Sequence, residues 1–229
     1  MAMLIALEGI DGSGKGTQAL LLQERLVAAG CRSQLLSFPR YDETLFGKSI
    51  GDFLNGRFGA LDEVNPFLVS LLYAGDRFES RDLLLKAIAE NDVLVIDRFV
   101  ASNVAHQGAK LDEDECEEFA EWIGKIEHEV FQLPRPDLVV LLDLPADQAQ
   151  QLIARKQARG YTDKAADIQE ADQLYLAKVR DVYLRLSSRE PNWHRVDCYR
   201  DGNMRSIDDI SAEIWRVVGD RQPGKIPQA

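Results

Sequence analysis

Gly9-Ile10-Asp11-Gly12-Ser13-Gly14-Lys15-Gly16-Thr17 is the stretch that decides the fold class. Its spacing is G-x-x-x-x-G-K, the pattern of a phosphate-cradling P-loop. Glycines free the backbone to curl its N–H groups around an anion. A helix that begins at the loop brings its N-terminal partial charge, roughly +0.5, to the same point. Lys15 then reaches the β/γ-phosphates of a nucleoside triphosphate. The apolar run at residues 4–7 reads as a buried strand, and Leu21, Leu22 and Leu26 recur at helical spacing until Gly30 stops the helix. Gly12-x-Gly14 does not extend to GxGxxG, which disfavours a Rossmann dinucleotide site. One position departs from the P-loop pattern. Gly16 stands where a Ser or Thr hydroxyl would ligate Mg²⁺, and Thr17 comes one place later. Mg²⁺ is therefore expected to be held by phosphates, waters and carboxylates.

Outward from the loop, short apolar runs alternate with amphipathic segments. Further strands are predicted at residues 33–38, 93–96, 138–142 and 193–196. Helices are predicted at residues 65–89, with Pro66 in the first turn, and at 112–131, 146–159, 170–186 and 206–218. Five apolar strands separated by helices imply an α/β fold of the P-loop NTP hydrolase type. Its three layers are a five-stranded parallel sheet covered by helices on both faces. One compact domain over residues 1–218, with a mobile insertion, is expected. Residues 219–229, with Pro223, Gly224 and Pro227, read as a loose tail.

The 229 residues carry 27 Lys+Arg against 38 Asp+Glu, a formal charge of −11. That balance excludes a general nucleic-acid polymer binder, which needs a basic field. A phosphate-bearing small ligand needs local cations that overcome the background. A 45% hydrophobic content suffices for a sizeable core. Cys31, Cys116 and Cys198 stand apart without a CxxC, so a reduced, cytoplasmic chain is expected. His106, His128 and His194 are equally scattered, which argues against zinc. No basic leader and no apolar stretch near the ~18 residues of a membrane span is visible, so neither a signal peptide nor a membrane anchor is expected.

Several side chains suit phosphoryl chemistry. Asp97 ends the apolar run at residues 93–96, where an ionised carboxylate is costly unless it is paired or meets a metal. Arg98 beside it supplies positive charge, or forms a structural ion pair with it. Tyr73 and Arg77 are four apart and share a helix face. The Arg77 guanidinium suits a phosphate or a base carbonyl, or else a salt bridge to Asp76. Phe38 sits at a strand end by the loop, where open α/β folds bind ligands, unless it is a core aromatic. Arg155 and Arg159 are one turn apart and can face the same phosphates, whose charge they would stabilise in transfer. Ser102, Asn103 and Gln107 form a polar group that serves either a ligand or helix capping. The acidic run at residues 112–118 reads as a solvated helix start, and Trp122, Trp193 and Trp215 as core.

Four segments, in order, resemble the thymidylate kinases. They are Leu7-Glu8-Gly9-Ile10-Asp11-Gly12-Ser13-Gly14-Lys15, then Phe38-Pro39-Arg40-Tyr41, then Asp97-Arg98-Phe99 with Ala101-Ser102-Asn103 and Gln107-Gly108, and finally residues 155–170, which resemble the Arg-rich lid of that kinase family and imply a single kinase domain with a lid there. They span about the first 175 residues. The resemblance implies transfer of the γ-phosphoryl of ATP to dTMP, with Mg²⁺, by a homodimer. It implies that Phe38 stacks on thymine, that Arg40, Tyr41, Arg77 and Arg98 serve the acceptor nucleotide, and that Ser102, Asn103 and Gln107 meet the thymine edge. It places Asp11 at the acceptor phosphate and the metal, with Asp97 and Glu170 as further metal candidates, and Glu8 as a partner behind the loop. Some relatives carry a catalytic Arg where Gly12 stands, so here the lid arginines, Arg155 and Arg159, are expected to supply that charge. His106 stands where many relatives carry Tyr or Phe, over the sugar. Gln169 replaces a residue that is aromatic in some of them.

Other readings remain. Gly16-Thr17-Gln18 is more like adenylate kinases, so another nucleoside monophosphate kinase, acting on dUMP, AMP or a modified deoxynucleotide, is the nearest alternative. A nucleotide-binding switch module is disfavoured by the lack of an Asn-Lys-x-Asp guanine motif. A kinase acting on thymidine itself is the remaining alternative.

Overall fold

The computed structural model describes residues 2–154, 169 and 172–221. The chain opens with β1 (Met3–Glu8), α1 (Lys15–Ala28) and β2 (Ser33–Ser37), followed by α2 (Leu45–Leu54), α3 (Pro66–Glu79) and α4 (Arg81–Glu90). Next come β3 (Val93–Asp97), α5 (Val100–Gly108) and α6 (Glu113–Gly124), which runs into a π-helical segment, Lys125–Val130. The rest is β4 (Leu138–Asp143), α7 (Ala146–Ile153), α8 (Gln173–Arg189), β5 (Trp193–Asp197), a small hairpin of β6 (Tyr199–Arg200) and β7 (Asn203–Met204), and α9 (Ile207–Arg221).

β1 to β5 form one parallel sheet in the order β2-β3-β1-β4-β5. All six residues of β1 and all six of β4 are buried, as strands covered on both faces must be. Side chains alternate across the pleat. Met3, Ile5 and Leu7 join Leu22 and Leu26 of α1 and Ile210 and Ile214 of α9 in one core. Leu4 and Ala6 join Leu84 of α4, Val104 of α5 and Phe119 of α6 in the other. The predicted α/β class and five-stranded parallel sheet are therefore present. β1 lies centrally, so the loop that follows it opens where strand order reverses, the place open α/β sheets hold ligands.

Several element expectations are corrected. The single helix expected over residues 65–89 is two, α3 and α4, separated at Ser80. The helix expected to reach residue 131 leaves the α-helical ladder after Gly124 for the π-helical segment. α2 and the β6–β7 hairpin were not anticipated. α9 continues through Arg221, past the expected start of a loose tail at Gly219. Trp215 is core, but Trp122 and Trp193 are only half-buried. The acidic start of α6 is as expected, with Asp112 and Glu115 forming a capping box.

Candidate active site

The phosphate loop is shaped by its neighbours. Gly12 has φ +84°, and a Cβ there would stand 2.5 Å from the Ala149 carbonyl oxygen of α7. Backbone conformation and space both exclude a side chain, so the loop itself cannot carry an arginine at this place. Gly14, in the left-handed region, ends the loop, and Lys15 opens α1 with its Nζ donating to the Ile10 carbonyl at 2.8 Å. A Cβ on Gly16 would approach Asp97 Oδ2 to 3.2 Å. Asp97 ends β3, and its Oδ1 is buried without a hydrogen-bond partner among the described residues.

Arg98 follows with φ +65° and lies at the centre of a polar network. Its Nη2 pairs with Asp11 Oδ1, and its Nη1 donates to Ser102 Oγ and His106 Nε2, each at 3.2 Å. Its ion-pair partner is thus Asp11, not Asp97. Burial pushes the Arg98 guanidinium down, but Asp11, Tyr183, Asp97 and Glu8 outweigh it and hold it well above the ordinary arginine value. Burial, and then the Arg98 charge, pushes His106 down to about 3. The ring is therefore neutral at pH 7. Arg98 can only donate, so Nε2 accepts and the proton sits on Nδ1, 3.4 Å from the Tyr175 hydroxyl.

Glu8 braces this region from behind and is fully buried. Oε1 accepts from the backbone N–H of Phe99 at 2.8 Å and of Ser102 at 3.3 Å. Oε2 accepts from Ser102 Oγ at 2.6 Å and Tyr183 OH at 2.9 Å. Burial and the Glu8 charge raise the Tyr183 phenol well above its ordinary value, which keeps it a donor. Carboxylate, backbone and two hydroxyls thus fix the turn that carries Arg98.

A cleft of about 490 Å³ opens at the carboxyl edge of the sheet. The expected residues it brings together are Asp11, Gly12, Gly14, Lys15, Gly16, Thr17, Phe38, Tyr41, Tyr73, Arg77, Asp97, Arg98, Ser102, Asn103, His106 and Gln107. Phe38 is buried, with its ring tilted on Phe99 at 6.1 Å between centroids. Gln107 is fully buried, yet both its amide atoms lack hydrogen-bond partners, and Asn103 Oδ1 likewise has none. Buried polar groups are rarely left unmatched, so these atoms have hydrogen-bonding capacity to offer a ligand.

Some residues stand elsewhere than the sequence suggested. Arg40 is turned to Ser80 Oγ, at 3.1 Å, and to Glu43, and is not among the cleft-lining residues. Arg77 does line the cleft, but its ion-pair partner is Glu127 rather than Asp76. Asp76 instead accepts from Thr44 Oγ1 at 2.5 Å and the Arg40 backbone N–H at 3.1 Å. Gln169, which stands where some relatives carry an aromatic residue, is buried and lines the cleft. Sequence reasoning missed Ser37, Pro39, Leu54 and Glu127. Ser37 and Pro39 flank Phe38, so the strand end that pointed to Phe38 could have found them. Arg155, Arg159 and Glu170 lie outside the described residues. The fit for a divalent cation rests on Asp97, whose unmatched Oδ1 is the donor type Mg²⁺ takes. Among the described residues no group of three or more His, Cys, Asp or Glu could hold a metal ion.

A parallel sheet with a glycine-rich phosphate loop after its central strand, a lysine opening the next helix and an acid ending the adjacent strand defines a P-loop nucleotide-binding protein. The thymidylate kinase family model matches residues 7–207, and the chain belongs to that family. The thymidylate kinase of Mycobacterium tuberculosis is 33% identical over 187 residues, covering 82% of this chain and 86% of that one. The human thymidylate kinase is 33% identical over 220 residues, covering 95% and 89%. In fold, the thymidylate kinase of Candida albicans matches with a TM-score of 0.73 at 23% identity, over 96% of this chain and 92% of that one.

Proposed function

We infer that this chain is a thymidylate kinase, an ATP-dependent phosphotransferase that moves the γ-phosphoryl of ATP onto dTMP, giving dTDP and ADP. The observation that carries the reading is one cleft in which the phosphate loop, Arg98 and two buried amides with unmatched atoms converge. Loop N–H groups and Lys15 bind the donor phosphates. Arg98, fixed by Asp11, His106 and Ser102, holds the acceptor phosphate in line. Transfer needs no covalent enzyme intermediate, because positioning and charge neutralisation carry the barrier. Phe38 stacks on the base, Tyr41 and Tyr73 wall the nucleoside, and Asn103 and Gln107 meet the base edge. Asp97, whose Oδ1 is unmatched, would hold Mg²⁺, with Asp11 and Glu170 the other candidates, and the ion would supply neutralisation of phosphate charge.

The expected single domain has a lid that closes over the nucleotides, excludes water and brings in Arg155 and Arg159. The exclusion of a side chain at Gly12 favours this source of positive charge. Cys31, Cys116 and Cys198 are free thiols, in keeping with a cytoplasmic site of action. Among the described residues no helix is long and apolar enough to cross a membrane. The working form is a homodimer.

Steady-state kinetics with ATP–Mg²⁺ and a panel of dTMP, dUMP, AMP, dCMP and thymidine tests the reading. dTMP should have the highest kcat/KM, and a better acceptor elsewhere in the panel sinks it. The same assay on Arg155→Ala and Arg159→Ala tests the lid, since near-wild-type kcat in both would remove its arginines from the mechanism.

A further inference from the structure

Asp76 is fully buried on α3 and is not among the cleft-lining residues. Both its oxygens face the segment that follows β2. Oδ1 accepts from Thr44 Oγ1 at 2.5 Å, and Oδ2 accepts from the Arg40 backbone N–H at 3.1 Å. That segment brings Phe38, Pro39 and Tyr41 to the cleft. At its start, the Phe38 N–H is given to the Asp97 carbonyl of β3 at 3.0 Å. Pro39 has no N–H to give. From Arg40 onward the chain closes on itself, because the Arg40 carbonyl accepts from the N–H groups of Glu43 at 3.1 Å and Thr44 at 3.3 Å. Thr44 Oγ1 in turn caps α2, accepting from the Gly47 N–H at 2.8 Å. Asp76 therefore ties a self-closed turn, with Tyr41 inside it, to the helix that presents Tyr73 and Arg77 to the same cleft.

We propose that Asp76 is a positioning residue for the acceptor side of the reaction, setting where the segment from Phe38 to Tyr41 stands against α3 without touching either nucleotide. The phosphate loop is packed elsewhere, with Gly9 against the Leu142 carbonyl of β4 and Gly12 against that of Ala149 on α7, so the donor side does not depend on this tie. A displacement of about 1 Å in a positioning group can cost about a hundredfold in rate. The tie needs hydrogen-bonding atoms rather than a charge. An amide oxygen at position 76 can accept from the Arg40 N–H. Its NH₂ can then donate to Thr44 Oγ1, and that hydroxyl can donate to the Arg40 carbonyl, 3.3 Å away. A methyl group satisfies none of these partners. The inference rests on the assignment of Phe38 and Tyr41 to the acceptor nucleotide in the thymidylate kinase reading.

Steady-state kinetics on wild type, Asp76→Ala and Asp76→Asn tests it. Asp76→Ala should raise KM for dTMP by about tenfold, with KM for ATP within about twofold and kcat within about threefold of wild type. Asp76→Asn should return KM for dTMP to within about threefold of wild type. A merely structural residue would lower stability without separating the two substrates. An unchanged KM for dTMP, equal effects on both KM values, or an Asp76→Asn as impaired as Asp76→Ala overturns the inference and leaves the thymidylate reading standing. A wild type that prefers another monophosphate sinks that reading alone, and the same comparison is then made with that acceptor. If Asp76→Ala does not fold, Thr44→Val and Thr44→Ser decide. Valine removes the hydroxyl and should raise KM for dTMP by about threefold or more, whereas serine keeps it and should not. No difference between those two variants overturns the inference.

Discussion

At the scale of single residues, the site is organised by which group may carry a proton. His106 is a neutral acceptor because its surroundings forbid a charge: it is buried, and Arg98 stands 3.2 Å from Nε2. In the unfolded chain the same imidazole has an ordinary pKa of about 6.5. Between that value and about 3 the unfolded chain binds a proton that the folded chain refuses. Stability supplied by the neutral ring is therefore complete above pH 6.5 and declines as pH falls, by up to about 1.4 kcal/mol per pH unit. Urea unfolding at pH 7 and pH 5 should show wild type losing about 2 kcal/mol more than His106→Phe, whose ring cannot titrate. Parallel losses in the two proteins would mean that His106 is not the group excluded from protonation. The places of Lys15 and Asp97 were readable from the sequence because they follow from immediate neighbours, the glycine loop and the apolar strand. The state of His106 was not readable, because it is set first by burial in the folded chain and then by the Arg98 charge.

At the scale of elements, the least legible parts are those held by distant partners. α5 has no side-chain cap of its own, and its first N–H groups are taken by Glu8, 91 and 94 positions earlier. This makes Glu8 the joint between β1, α5 and, through Tyr183, α8. Glu8→Gln turns one acceptor oxygen into a donor facing hydroxyl or N–H groups. It should cost about 1–3 kcal/mol in thermal or urea unfolding. kcat should fall by about tenfold with little change in KM for ATP, because the turn carrying Arg98 shifts while the phosphate loop stays. Wild-type kcat with lowered stability would reduce Glu8 to a purely structural part. The same distance rule accounts for the other departures. Apolar periodicity runs straight through residues 65–89, and nothing local marks the break at Ser80, whose hydroxyl accepts from Arg40. α2 was hidden by Gly47 and Gly51, positions that a helix normally avoids. A Cβ on Gly47 would stand 2.1 Å from the Arg40 carbonyl oxygen, so close packing explains that glycine. The sheet was legible for the opposite reason, since each buried strand is a short apolar run whose signal lies entirely within itself.

At the scale of the whole molecule, the charge of −11 and the phosphate-binding cleft do not conflict, because they are separated in space. Acids crowd the exposed start of α6, while Lys15, Arg77 and Arg98, from three separate elements, line one cleft. The surface holds a second non-uniformity. Leu68 is 65% exposed and Phe78 50%, ten positions apart on α3 with Gly75 between them. Leu45, 74% exposed, and Phe46, 40% exposed, start α2 alongside, where a Cβ on Gly75 would meet the Phe46 ring at 2.6 Å. Glu79 accepts the N–H groups of Leu45 and Phe46, which ties the start of α2 to α3. Large apolar side chains exposed on neighbouring helices of an otherwise strongly charged protein suit an association surface. A two-fold axis through it would pair the α2–α3 layer with the same layer of a second chain, the self-complementary arrangement expected of a closed dimer. Light scattering should therefore give twice the 25.7 kDa of one chain. Leu68→Asp with Phe78→Asp should halve that mass, because each carboxylate would be desolvated against an apolar partner face. Both substitutions lie at exposed positions, so the monomer should keep its far-ultraviolet circular dichroism. A wild type that scatters as a single chain, or a double variant that stays dimeric, would show that this surface does not join two copies.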